Sequence, residues 1–159
     1  MSTPRIQRRL ASAEPVSVAH LPAHVLKFHK RSFDGSAKCD IVPTRDPSDV
    51  VFGVVFQILD SEKPALDRYE NLGNGYAEKS VTVTQADGRP LSATTYFATH
   101  IDTSLKPYHW YKEHVLRGAR EHALPVEHIN AIAGVHSVMD PNPDKHFREL
   151  SIYSSADKR

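Results

Sequence analysis

The sequence predicts an α+β fold: a small mixed, mostly antiparallel, barrel-like sheet with flanking helices. Three observations carry this. Segments with strand period fill the first two thirds of the chain. A β-branched and aromatic run at 50–58 interrupts any helical reading there. Two helix-period segments follow Pro107.

In chain order, Thr3-Pro4 reads as a helix cap followed by proline in the first turn, opening a short helix over 5–10. Alternating apolar residues at 15–31, broken by Pro22, predict an edge strand or two short strands. Phe33-Asp34-Gly35-Ser36 is turn chemistry, and 38–42 can return as a strand. The run 50–58 is apolar on both faces, which places it centrally in the sheet. Asp60-Ser61 caps a helix to about residue 71 with Ala65, Leu66, Tyr69 and Leu72 on one stripe, and Gly73-Asn74-Gly75 ends it. Strands at 77–84 and 91–98 flank an Asp87-Gly88 hairpin turn. Helices follow over 108–122, with Tyr111, Val115, Leu116 and Ala119 inward, and over 126–138. One domain over 1–138 and a loosely held tail over 139–159 complete the expected organisation.

Composition narrows the function classes. A chain of 159 residues with 40% apolar and 25% charged residues has the profile of an ordinary globular domain. A net charge of +1 argues against nucleic-acid binding. Its one basic cluster, Arg5, Arg8 and Arg9, reads as a solvated helical face. A single cysteine, Cys39, excludes an internal disulfide and a cysteine-only zinc site, and nothing near it suggests a catalytic thiolate. The longest apolar run falls far short of the roughly 20 residues of a membrane span, and with no signal core the expected compartment is the cytoplasm. Ten histidines lack the His-Glu-x-x-His spacing, so no metal is expected. Gly35-Ser36-Ala37-Lys38 lacks the upstream glycine of a phosphate loop.

Glu70 stands at the C-terminal end of its predicted helix, where the dipole disfavours a carboxylate. Turned toward a pocket, it would have its pKa raised by desolvation and could shuttle protons near neutrality. Turned outward, it is an ordinary helix-end glutamate.

Several strings occur in an informative order. Val51-Phe52-Gly53-Val54-Val55-Phe56 is followed by Leu66-Asp67-Arg68-Tyr69-Glu70 and by Gly75-Tyr76. Pro107 with Tyr111, then Gly118-Ala119 and Leu124-Pro125, come after. Together they resemble the γ-glutamylcyclotransferase family pattern over roughly residues 1–135, with Arg5 and Leu10-Ala11-Ser12-Ala13 similar to the stretch after that family's first strand. The resemblance implies a small barrel-like sheet with flanking helices. It also implies a cofactor-free reaction, in which the α-amine of a γ-glutamyl compound attacks its own γ-carbonyl and releases 5-oxoproline. Glu70 is thereby implied as the acid–base residue, and Tyr76 and Tyr111 as tyrosines lining the substrate pocket. Both tyrosines also read as core aromatics with a wet hydroxyl. The implied partner is a small γ-glutamyl substrate, with a homodimer as an open assembly state. One departure stands out: the Tyr-Gly-Ser-Asn with which the family's first strand ends is absent from the 159 residues. Two explanations compete: a start upstream of Met1, or a shortened chain of weak activity. A second departure is Tyr108, where the family commonly has serine.

Overall fold

A computed structural model of the chain describes residues 1–154. A short helix α1 (Thr3–Gln7) opens it, with Pro4 in the first turn. Ser2, not Thr3, takes the cap position, and its side chain leaves the helix amides alone. That hydroxyl is fully buried and is committed instead to the Tyr153 hydroxyl, 2.7 Å away.

Strand β1 (Glu14–Pro22) and strand β2 (His24–Arg31) are two strands rather than one. Pro22 withholds an N–H from any ladder, and Ala23 then turns the chain at φ +55°. Strand β3 (Ala37–Pro43) returns antiparallel to β2, with a bulge between Phe28 and Lys30. Strand β4 (Val50–Gln57) runs antiparallel to β1, and helix α2 (Lys63–Glu70) follows a 3-10 turn. Asn71, at φ +57°, terminates α2. Strands β5 (Tyr76–Gln85) and β6 (Pro90–Ala98) form the expected hairpin, with Gly88 at φ +83° in its turn. Helices α3 (His109–Glu121), α4 (Val126–Ala133) and α5 (Pro143–Leu150) complete the order, and α4 is shorter than its predicted span.

The antiparallel α+β class holds, but hydrogen bonding divides the strands into a four-stranded sheet, β4-β1-β5-β6, and the separate hairpin β2-β3. Several ties join them. Arg31 N–H donates to the His100 carbonyl (2.9 Å), Asp102 N–H to that of His29 (2.8 Å), and Ala98 N–H to the Asp40 carboxylate (2.7 Å). The 50–58 run, expected at the centre, is an edge strand bonded only to β1. One face packs through Phe52 and Val54 on the Leu116, Ala119, Leu124 and Ile132 core under the helices, and Val51 on the other face is buried too. Phe56, on the same strand, packs on Ile6, Leu10 and Ala13. Among the described residues no helix is long and apolar enough to cross a membrane.

Three further expectations are corrected. Tyr69 and Leu72 leave the α2 stripe for solvent, since Ala65 and Leu66 alone reach the α1 core and Tyr69 lies instead beneath the Arg9 guanidinium (5.3 Å). Of the basic cluster only Arg8 faces water, because Arg5 on α1 and Arg9, in the turn just past its end, both point inward. The segment read as a loose tail carries α5, capped by Asn142 Oδ1 accepting from Lys145 N–H (3.0 Å), and buries Tyr153. Its polar composition masked one large aromatic anchor; residues 155–159 lie outside the described residues.

A directed hydrogen-bond chain holds that anchor. Tyr153 O–H donates to His114 Nδ1 (2.5 Å), and His114 Nε2–H faces Glu149 (3.3 Å), which also accepts from Arg5 (3.1 Å). Burial pushes His114 down from 6.5 to about 4. The His114 hydrogen bond, with Arg5, outweighs burial and holds Glu149 down at about 2.

Two outcomes follow. Gly118 lies where an added Cβ would stand 2.6 Å from the Met1–Ser2 backbone. Gly118→Ala should therefore destabilise the chain by about 1–3 kcal/mol in urea unfolding, although alanine is the better helix former. Unfolded His114 binds its proton below about pH 6.5, the folded residue only below about pH 4, so acid favours the unfolded chain. The melting temperature should fall as pH drops through that window, and His114→Asn should flatten this part of the profile.

Candidate active site

Helix α2 delivers Glu70 from its last turn, and the left-handed Asn71 ends the helix immediately behind it. The Glu70 side chain is 18% exposed and lines a cleft of about 670 Å³, together with Ile6, Leu66, Val54, Val83 and Tyr96. Arg9 Nη1 donates to Glu70 Oε1 at 3.1 Å. Among the described residues, Oε1 is the only Glu70 carboxylate oxygen that is hydrogen-bonded, so Oε2 can take a proton donor from a ligand. The Arg9 side chain is itself only 21% exposed, which keeps the pair out of bulk water.

The two tyrosines meet at one peptide unit rather than on the cleft wall. Tyr76 O–H, at the start of β5, donates to the Cys39 carbonyl at 2.5 Å. Cys39 N–H donates to the Tyr111 hydroxyl oxygen at 3.0 Å. Helix α3, strand β3 and strand β5 are thereby pinned together through the backbone of Cys39. Burial raises both phenols above their usual range, and the Cys39 and Glu70 charges add to the effect at Tyr76. Both therefore stay protonated at neutral pH. Burial also pushes the Cys39 thiol up to about 12, so it offers no thiolate nucleophile.

Cations crowd the same region. Arg5 lies over the Trp110 and Tyr111 rings at 5.7 and 5.9 Å. Lys38 packs 4.8 Å from both ring centroids and donates to Asp34. Lys30, whose side chain is 5% exposed, lies 4.7 Å from the Tyr76 centroid. Burial lowers the Lys30 ammonium from its usual value, against the charges of Glu70 and Asp34, which raise it.

The structure thus groups Glu70, Tyr76 and Lys30, and sets Tyr111 one peptide away on the other side of Cys39. Arg9 and Lys30 were missed as site residues. Neither gave a clear signal: Arg9 follows a helix too short to show which side faces in, and the bulge at His29 breaks the alternation that links Leu26 and Phe28 to Lys30. Among the described residues, no three His, Cys, Asp or Glu side chains converge as metal ligands would.

Comparison with known proteins gives this geometry its context. The family model described as the AIG2-like family matches residues 50–132. A γ-glutamylcyclotransferase from Bos taurus is 32% identical over 147 residues, covering 90% of this chain and 76% of its own length. Its Homo sapiens counterpart is 32% identical over 92 residues, of which the match spans 48% of the relative's length. A solved γ-glutamyl cyclotransferase shares the fold with a TM-score of 0.81 at 24% identity, over 92% of both chains. The structure of a human protein described as uncharacterised superposes with a TM-score of 0.79 at 27% identity, over 86% of this chain and 83% of its own. By these matches the chain belongs to the AIG2-like family, alongside curated γ-glutamylcyclotransferase relatives.

Proposed function

We propose that the chain cleaves a γ-glutamyl amide or amine by cyclisation, with Glu70 as the acid–base residue. The observation that carries this reading is the Glu70 carboxylate, sheltered in a cleft with one oxygen held by Arg9 and the other open to a ligand.

The reaction asks little of the protein. Amine and carbonyl belong to one molecule, so holding the substrate folded supplies much of the acceleration. Glu70 Oε2 takes a proton from the α-ammonium, and the freed amine attacks the γ-carbonyl carbon. A carbon–nitrogen bond forms, closing the five-membered ring. The same carboxyl then returns its proton to the departing nitrogen as the original amide bond breaks, and the ring nitrogen sheds its remaining extra proton, which the freed amine carries off as its ammonium. Arg9 keeps the carboxylate from rotating away between the two transfers. The Cys39 peptide, clamped by Tyr76 and Tyr111, gives the neighbouring wall its rigidity.

A second reading draws support from the same ion pair. A carboxylate already bonded to an arginine suits a module that binds an amino-acid-like ligand without converting it. Calorimetry with a γ-glutamyl dipeptide separates the two, since binding without release of 5-oxoproline favours the module.

Release of 5-oxoproline from γ-glutamylalanine should fall by about 10²–10⁴ in Glu70→Gln, with the melting temperature held near wild type. Full activity in that variant would sink the assignment.

A further inference from the structure

The other side-chain cations near the site have carboxylate partners within the chain: Arg5 with Glu149, Arg9 with Glu70, Lys38 with Asp34, and Lys63 with Asp67 and Glu78. Lys30 is the exception. It is 5% exposed, and among the described residues its ammonium forms neither an ion pair nor a hydrogen bond. The Tyr76 ring, 4.7 Å away, attracts the charge through its face but accepts none of its three N–H groups in a conventional hydrogen bond. An ammonium this little exposed, with no carboxylate of its own, leaves its N–H donors for an anion.

The backbone is built to keep it there. The bulge at His29 seats Lys30 opposite Lys38 on β3, and a lattice of ties surrounds it: His29 Nε2 to Asp40 (2.8 Å), and Asp40 to Ala98 N–H. On the other side Gly75, at φ +140°, comes so close that a Cβ there would stand 3.0 Å from Lys30 Cε and Nζ. Glu70 and Asp34 both act on the ammonium electrostatically, yet neither bonds it. The result is a positive group without a carboxylate of its own, within electrostatic reach of a half-open negative one.

We propose that Lys30 is a carboxylate-binding residue of this site, taking a carboxylate of the γ-glutamyl substrate while Glu70 Oε2 faces its ammonium. This rests on the function proposed above. A γ-glutamyl head carries an ammonium and a carboxylate on one carbon, so neighbouring groups of opposite sign complement it. A γ-glutamyl dipeptide carries a second carboxylate on the departing amino acid. The shared chemistry is a carboxylate on Lys30, and two probes tell its sources apart: γ-glutamylglycine has both carboxylates, and γ-glutamylmethylamide only the first.

The test compares wild type with Lys30→Met and Lys30→Gln, by steady-state 5-oxoproline release and by calorimetric binding of both probes. KM and Kd should rise about 10- to 100-fold, with kcat changed less than about threefold. A rise for both probes places the α-carboxylate on Lys30, and a rise for γ-glutamylglycine alone places the departing one there. Both substituted chains should melt near wild type, because the Lys30 ammonium forms no ion pair or hydrogen bond among the described residues. If wild type binds a probe through Lys30 but releases no 5-oxoproline, the catalytic reading fails and the Lys30 site stands. Unchanged KM and Kd for both probes in whichever variant folds, or wild type binding neither probe, overturns the proposal.

Discussion

The backbone of Met1 and Ser2 passes so close to helix α3 that only a glycine, Gly118, leaves room for it. This approach sets the position of α1, and much of the molecule is arranged around the consequence. Ile6 and Leu10 fall onto Phe56, Ile58 and Leu66, seating α2 against α1. Arg5 and Arg9 are carried inward, one to the Trp110–Tyr111 pair and one to Glu70. Without that near-contact between backbone and helix, the carboxylate at the end of α2 would have no arginine beside it.

Charge in the interior follows one pattern. Cations are buried over aromatic rings and then neutralised by carboxylates, as in Lys38 and Lys145 on Asp34 near Trp110. Burial pushes the Asp34 carboxyl up, but hydrogen bonds from Ser36, Lys38 and Lys145 outweigh it and hold the group well below the usual carboxylate range. Aromatic faces supply attraction without directionality, while carboxylates fix the geometry. Lys30 shows the first half of this arrangement without the second.

Much of the architecture was legible because local signals agreed with the tertiary outcome. Pro22 marked the break between β1 and β2, Asp87-Gly88 the β5–β6 turn, and Pro107 the approach to α3. What stayed hidden depended on partners far away in sequence. The doubly apolar β4 reads as central, since text cannot distinguish a covering sheet neighbour from a covering helix layer. Likewise the polar stretch after Met139 conceals Tyr153, whose partners Ser2 and His114 come much earlier. Glu70 was readable from its place in a motif. Arg9 was not, because a helix of five residues has too few turns to show which side faces in.

The hydrogen bond between Ser2 and Tyr153 joins positions 151 residues apart. A growing polypeptide can form the β1-to-β6 sheet while its later part is still being made. The pocket around Ser2, however, stays unfilled until Tyr153 has emerged from the ribosome, so closure of this part of the interior waits for that segment. During that interval the α1 segment is held by its apolar side and by the Arg9–Glu70 pair, without its Tyr153 partner. A nascent molecule passes through a stage in which its sheet is made and its seam is still open.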